Sequence, residues 1–146
     1  MYMIPPALWE HQNAIKALYS NCVGNVCRQH DITRIELDIL LFLANNPCYD
    51  TATDIVEIRY LAKSQVSAAI KHMETCGYLT KSYAKDNRKT AHLHICDIAA
   101  DIVADGQNAQ RRFFEIMMEG IPQDEIDNMR RCMDHISANI NRYLKD

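Results

Sequence analysis

Glycine and proline are scarce in this sequence, four of each in 146 residues. That excludes a linker-rich or low-complexity chain. No apolar run reaches the 18 or so residues a membrane-spanning helix needs, so no membrane partner is expected. The opening stretch Met1-Tyr-Met-Ile-Pro-Pro6 lacks the basic and apolar regions of a signal peptide, and a cytoplasmic chain is expected. No C-x-x-C pair, G-x-S-x-G, P-loop, dinucleotide-binding glycine pattern or H-E-x-x-H is present, so no enzyme is expected. Basic charge is also short. Sixteen Lys and Arg stand against 19 Asp and Glu, a formal net charge of −3. Taken whole, that balance points away from a nucleic-acid partner. Cysteine is the exception to scarcity, with six: Cys22, Cys27, Cys48, Cys76, Cys96 and Cys132. In a cytosolic chain they are expected to be reduced, and mostly small buried hydrophobes.

What is present is mostly helical periodicity. A first helix is expected from about Ala7 to Arg28, with Leu8, Ile15, Leu18, Cys22 and Val26 on one face. Thr33-Arg-Ile-Glu36 fits a capping box that opens a second helix, apolar almost all round from Ile35 to Leu43 and stopped by Asn45-Asn-Pro47. Thr51 caps a short third helix that ends near Arg59, with Asp54 in its positive first turn. A fourth runs from Ser64, read as its N-cap, to Cys76. Val66, Ala69, Ile70 and Met73 form its buried stripe, and Gly77 is its stop. The period then changes to two. Residues 78–84 and 91–96 read as strands of a hairpin whose tip is Lys85-Asp-Asn-Arg-Lys89. Two long helices follow, about Ile98–Glu119 and Asp124–Leu144. In the last, Ile126, Met129, Met133, Ile136, Ile140 and Tyr143 recur at spacings of three and four, a sustained seam.

Helix, short helix, turn, helix, hairpin is the order of a winged helix–turn–helix, in which the second helix of the motif enters the major groove. Charge follows that order. Between Arg59 and Lys89 there are seven basic residues and two acids, a net +5 that leaves −8 for the rest of the chain. A concentrated positive segment is the footprint of phosphate contact.

Ser64-Gln-Val-Ser67, Ile70, Met73-Glu74, Gly77-Tyr-Leu79 and the Asp86-Asn-Arg88 of the hairpin together resemble the MarR family of bacterial transcriptional regulators. The resemblance covers the middle two-thirds of the chain. It implies a mainly α fold with about six helices and a two-stranded β-hairpin wing. Residues 1–146 would form one domain, with a DNA-binding lobe over 33–96 and dimerisation helices over 7–28 and 98–144. It also implies a homodimer on a palindromic double-stranded DNA operator, acting as a repressor and responding to a small-molecule effector. Two departures stand out: Ala68 where many members carry a basic residue, and Tyr60 where many carry a turn glycine.

The expected DNA contacts are Lys63, Ser64, Gln65, Ser67, Lys71, His72, Lys81, Lys85, Asp86, Arg88 and Lys89. Gln65 and Ser67 are the best candidates for base readout, and Lys63, Lys81, Lys85 and Lys89 for phosphates. By the resemblance, Asp86 orients Arg88 into the minor groove, where narrow A·T-rich tracts concentrate negative potential. Leu8, Ile15, Leu18, Ile126, Met129, Met133, Ile136, Ile140 and Tyr143 are the expected dimer contacts. Tyr19, Cys27, His30, Arg34 and Phe113, with Phe114 beside it, are candidates for an effector pocket or sensor. Cys27 is the redox candidate, because Arg28 and His30 stand near it. Cys27 with His30, or His92 with His94, could supply two zinc ligands. No matching second pair is present, so no metal or cofactor is assigned. The alternatives are a redox- or zinc-responsive regulator of the same fold, or a winged-helix interaction module that does not bind DNA.

Overall fold

The computed structural model describes the backbone of residues 6–145 and the side chains of residues 9–145. The chain divides into two compact units, Met1–Phe113 and Phe114–Asp146. In chain order the elements are α1 (Pro6–His30), α2 (Arg34–Asn45), α3 (Ala52–Arg59), α4 (Lys63–Thr75), β1 (Leu79–Ala84) and β2 (Asn87–Ile95). A short 3-10 turn (Asp97–Ala99) then leads into α5 (Ala100–Met118), and α6 (Gln123–Lys145) follows.

The first unit is built around α2, which is buried continuously from Glu36 to Leu43. Leu37, Ile39, Leu40 and Leu41 meet Val23 of α1, Ile55 of α3, Val66 and Met73 of α4, and Leu79 of β1 in one core. An all-round apolar helix can satisfy its surface only by being surrounded, so the other elements take their places against it. Gly106 of α5 is where another backbone comes closest. A Cβ placed there would lie 2.8 Å from Leu41 Cδ2 and 3.1 Å from Leu37 Cδ1.

Helix ends follow local chemistry, with two corrections. At α3 the capping box is complete. Thr51 Oγ1 accepts from the Asp54 amide at 3.1 Å, and Asp54 accepts from the Thr51 amide at 3.1 Å. At α2 Thr33 caps Glu36, but the Glu36 carboxylate does not return to the Thr33 backbone. It accepts instead from the Thr33 hydroxyl at 2.9 Å. Ser64 is not an N-cap either. The helix starts one residue sooner, with Ala62 at the cap and no side-chain cap bond, which leaves Ser64 inside the first turn. The far end of α4 is as expected. Gly77 is left-handed at φ 80°, its amide bonds the Glu74 carbonyl, and the Tyr78 amide bonds the Met73 carbonyl. Those two bonds satisfy carbonyls that the helix would otherwise leave open.

The hairpin is longer than its sequence period suggests. Ala84 pairs with Asn87, so the turn is Lys85-Asp86, and Arg88 and Lys89 belong to β2 rather than to the tip. Neither turn residue has positive φ. The mirror-image turns that match strand twist are therefore not used. The pairing shifts register between Ser82 and Ala84.

In the second unit α6 buries Ile126 at its start. It leaves Met129, Met133, Ile136, Ile140 and Tyr143 between 44% and 85% exposed. Ile126, expected at the dimer face, is 8% exposed in the single chain. The side chain of Leu8 lies outside the described residues. The cysteines also depart from expectation. Cys48 and Cys132 are exposed, the other four are half-buried, and all six are free thiols.

Two glycines on helices should answer oppositely to added bulk. Gly24→Ala, where the nearest atom to a new Cβ is Arg28 at 3.4 Å, should stabilise by about 0.5–1 kcal/mol through helix propensity. Gly106→Val should destabilise by roughly 2 kcal/mol or more by overpacking the core. Urea denaturation of both variants checks the pair, and a neutral Gly106→Val would contradict the close approach.

Candidate nucleic-acid interface

The helix–turn–helix geometry comes from two ties to α2. Asp38, only 9% exposed, accepts from Arg34 Nε at 3.0 Å and faces Arg59 at 3.6 Å, which fixes the C-terminal end of α3. Glu36, 5% exposed at its side chain, lies 3.2 Å from His72 Nδ1, which fixes α4. Between α3 and α4 the chain turns at Tyr60, a left-handed residue (φ 53°, ψ 43°) whose side chain is 91% exposed. This is the position where the sequence departs from the usual turn glycine, and the backbone keeps the glycine-like conformation regardless.

The turn presents α4 with its buried stripe inward, as expected. Val66, Ala69, Ile70 and Met73 are buried, and Lys63, Ser64, Gln65, Ser67, Ala68, Lys71 and His72 are exposed. All the helix residues expected at DNA therefore lie on the open side of α4. His72 is the one engaged elsewhere. Its Nδ1 meets Glu36, and its Nε2 lies 3.6 Å from Cys76 Sγ.

The wing brings Lys81, Lys85, Asp86, Arg88 and Lys89 to the surface. Lys81 pairs with Glu74 of α4 at 2.8 Å and so fastens the hairpin to the helix. An exposed pair of this kind is worth at most about 1 kcal/mol, and a phosphate can compete for the lysine. Asp86 and Arg88 make no hydrogen bond or ion pair with each other, so the orienting contact that the resemblance implies is not made in the isolated chain. The turn is ordered instead by Asn87, whose side chain accepts from the Lys89 and Thr90 amides and donates to Thr90 Oγ1. A cleft of about 260 Å³ runs between the start of α3, α4 and the wing, with Thr51, Ser67, Lys81 and Lys89 among its walls. The base of the hairpin is held by Asp50. Its carbonyl accepts from the Leu93 amide at 2.8 Å, and its carboxylate meets His92 Nδ1 at 2.8 Å.

The effector candidates divide. Tyr19, Arg34 and Phe113 come together. Tyr19 and Phe113 meet edge to face with ring centres 5.1 Å apart, and the Arg34 guanidinium stands 4.7 Å over the Tyr19 ring. They line a cavity of about 440 Å³ with Ile15, Lys16 and Arg59. Ile15, assigned to the dimer face, thus forms part of this wall. Cys27 and His30 do not line this cavity. His30 Nε2 is bonded to Asp105 of α5 at 2.7 Å. Burial pushes the Cys27 thiol above its ordinary pKa, against the opposing pull of Arg34 and Arg28. That is the wrong direction for a reactive sensor. Lys16 and Arg59 were missed. For Arg59 the available signal was Asp38, an acid in an apolar run that needs cations beside it. Among the described residues no three His, Cys, Asp or Glu side chains converge as metal ligands.

A mainly helical chain with a helix–turn–helix and a two-stranded wing is a winged-helix protein. Residues 30–89 match the profile of the MarR family. No curated protein matches the chain. Among solved structures, a MarR-family transcriptional regulator from Listeria monocytogenes, in complex with a 26mer DNA, superposes with TM-score 0.76 at 18% identity. The match covers 96% of this chain and 90% of that one. A MarR protein from Peptoclostridium difficile gives 0.75 at 17% identity, covering 99% and 97%. A MarR-family regulator from Silicibacter pomeroyi gives 0.75 at 14%, covering 88% and 86%. Residues 30–89 are thus similar to the MarR family, and the chain has the fold of these MarR structures over nearly its whole length. The Listeria and Silicibacter proteins are described as transcriptional regulators.

Left-handed backbone costs a non-glycine residue about 1–2 kcal/mol. The exposed Tyr60 ring has little packing to offset that. Tyr60→Gly should raise unfolding stability by about 0.5–1 kcal/mol once the entropy of the added glycine is deducted. A loss of stability in urea denaturation would mean that the ring makes a contact of its own.

Proposed function

We propose that this chain is a sequence-specific repressor that binds a palindromic operator as a homodimer and responds to a small-molecule effector. The observation that carries the reading is the coincidence of charge and shape. Six of the seven basic residues of Arg59–Lys89 fall on the open face of α4 and on the wing, a net +4 with Glu74 and Asp86, while Arg59 at the end of α3 faces Asp38 and the acidic remainder lies elsewhere in the chain. Gln65 and Ser67 are exposed on the first turns of α4, where side chains of a recognition helix meet base edges. Lys63, Lys71, Lys85 and Lys89 stand around them as phosphate contacts, and Lys81 joins them when its pair with Glu74 opens. Arg88 reaches the minor groove beyond. The Listeria relative in complex with DNA supports this mode of action.

Dimerisation is supported by the stripe on α6. Met129, Met133, Ile136 and Ile140 recur every three or four residues and stay about half exposed in the single chain. Such a seam calls for a second helix, and a second copy of this chain supplies one. Effector binding is supported by the cavity at Tyr19. Lys16, Arg34 and Arg59 surround it, and Asp38 answers two of these cations, so a small aromatic carboxylate has both ring partners and charge to meet.

Arg88→Ala should weaken operator binding by more than tenfold, about 1.4 kcal/mol, at fixed salt. Unchanged affinity in a fluorescence-anisotropy titration would remove the wing from the interface. Wild-type affinity should fall steeply with salt, because phosphate contacts release counterions. Two recognition helices should protect half-sites about 10 bp apart, centre to centre. A salt-insensitive interaction, or a footprint of one isolated half-site, would favour a partner other than DNA. For the dimer, Met133→Glu should convert the sedimenting species to a monomer, and an unchanged sedimentation coefficient would place the interface away from α6.

A further inference from the structure

The ladder of the wing is not continuous. Ser82 pairs with His92, and the next pair is Ala84 with Asn87. Between those pairs β1 has one residue, Tyr83, and β2 has four, Arg88 to Ala91. Extra residues on one strand make a bulge, which bends the strand and re-aims side chains. Arg88 and Lys89, both expected at DNA, are two of the residues it carries out of register.

Amides in a bulge lose partners across the ladder and need others. Asn87 supplies them for two. Its Oδ1 accepts from the Lys89 amide at 3.1 Å and from the Thr90 amide at 3.3 Å. Its Nδ2 donates to Thr90 Oγ1 at 3.1 Å. A backbone amide can only donate, so the oxygen of Asn87 has to face the two amides and the nitrogen is left for the hydroxyl. Asn87 is itself paired with Ala84, so these bonds tie the bulge to the ladder. Arg88 lies between Asn87 and the two residues it holds, and its backbone is thereby fixed from both sides. The Arg88 side chain is exposed, and among the described residues it makes no hydrogen bond or ion pair. A free arginine on an unordered tip would lose loop and side-chain freedom on binding, and that loss opposes affinity. A tip ordered beforehand has less to lose.

We propose that Asn87 is the positioning residue of the wing and sets sequence preference through Arg88. It holds the bulge in the shape that directs Arg88 at the duplex, the role that the resemblance gives to Asp86. Asp86 makes no hydrogen bond or ion pair among the described residues, whereas Asn87 makes three hydrogen bonds. The proposal rests on the reading of the chain as a DNA-binding regulator and names a determinant of its specificity.

For the test, the full wild-type chain selects duplexes from a randomised library, and the tightest of them is used in anisotropy titrations at fixed salt. Asn87→Ala should weaken binding by about fivefold, the size of one net hydrogen bond. Asn87→Ser, whose hydroxyl can accept from the same amides, should restore part of the loss. In an Arg88→Ala background, Asn87→Ala should cost nothing further, since two changes that act through one side chain do not add. Selections repeated with Asn87→Ala and with Arg88→Ala should lose preference at the same base positions. Wild-type affinity in Asn87→Ala would overturn the proposal, as would an equal loss with and without Arg88. A greater loss from Asp86→Ala than from Asn87→Ala would return the positioning role to Asp86 and overturn it too. A wild-type chain that enriches no duplex would overturn the DNA-binding reading, and the proposal with it.

Discussion

Two carboxylates buried in an apolar helix set the arrangement of the winged helix–turn–helix lobe. Desolvating a carboxylate is costly unless donors meet it, and α2 carries two of them within three residues, on either side of Leu37. Glu36 is met by Thr33 and by His72 of α4. Asp38 is met by Arg34 and by Arg59 of α3. Each acid thus draws in one of the two helices that make the helix–turn–helix. The apolar core supplies most of the stabilisation, but it is non-directional. The carboxylates add direction, because a helix rotated off its partner would leave a buried carboxylate short of one of its two partners. Among the described residues no buried side-chain nitrogen or oxygen is left without a partner.

Much of the lobe was legible in the sequence, for reasons that can be named. The stripe Val66, Ala69, Ile70 and Met73 follows the helical period and is buried. The capping box at Thr51 and the left-handed Gly77 are local signals, and local physics decided them. The misplaced features depend on partners far along the chain. Ser64 looked like a cap because its hydroxyl suits one, yet the preceding Lys63 is already helical. Glu36 looked like half of a capping box, but His72, 36 residues away, competes for the same carboxylate. Arg88 and Lys89 read as loop because they are polar, although strand pairing continues through them to Asn87.

The candidate site divides in the same way. Exposure of the α4 residues could be read from a single helical period. The cavity beside Tyr19 could not, since it is assembled from α1, α2, α3 and α5. Within it, Tyr19, Arg34 and Phe113 were identifiable by residue type alone. Lys16 and Arg59 became meaningful only when the fold brought both to one cavity and Arg59 to Asp38. The overall charge misled for a related reason. A sum over the chain discards position, and the positive residues are concentrated where the hairpin and α4 meet solvent together.

The clamp at Asp50 has a mechanical consequence. The carbonyl and carboxylate of one residue grip Leu93 and His92, so the hairpin is fixed at its root. From His92 to Asn87 the strands project as a cantilever of about 17 Å at roughly 3.3 Å per residue. A two-stranded ribbon has little stiffness by itself, and bending compliance in a cantilever accumulates with distance from the clamp. The root therefore keeps Lys81 and the cleft beside α4 in fixed register. The outer end, with Arg88, is the part of the hairpin freest to bend.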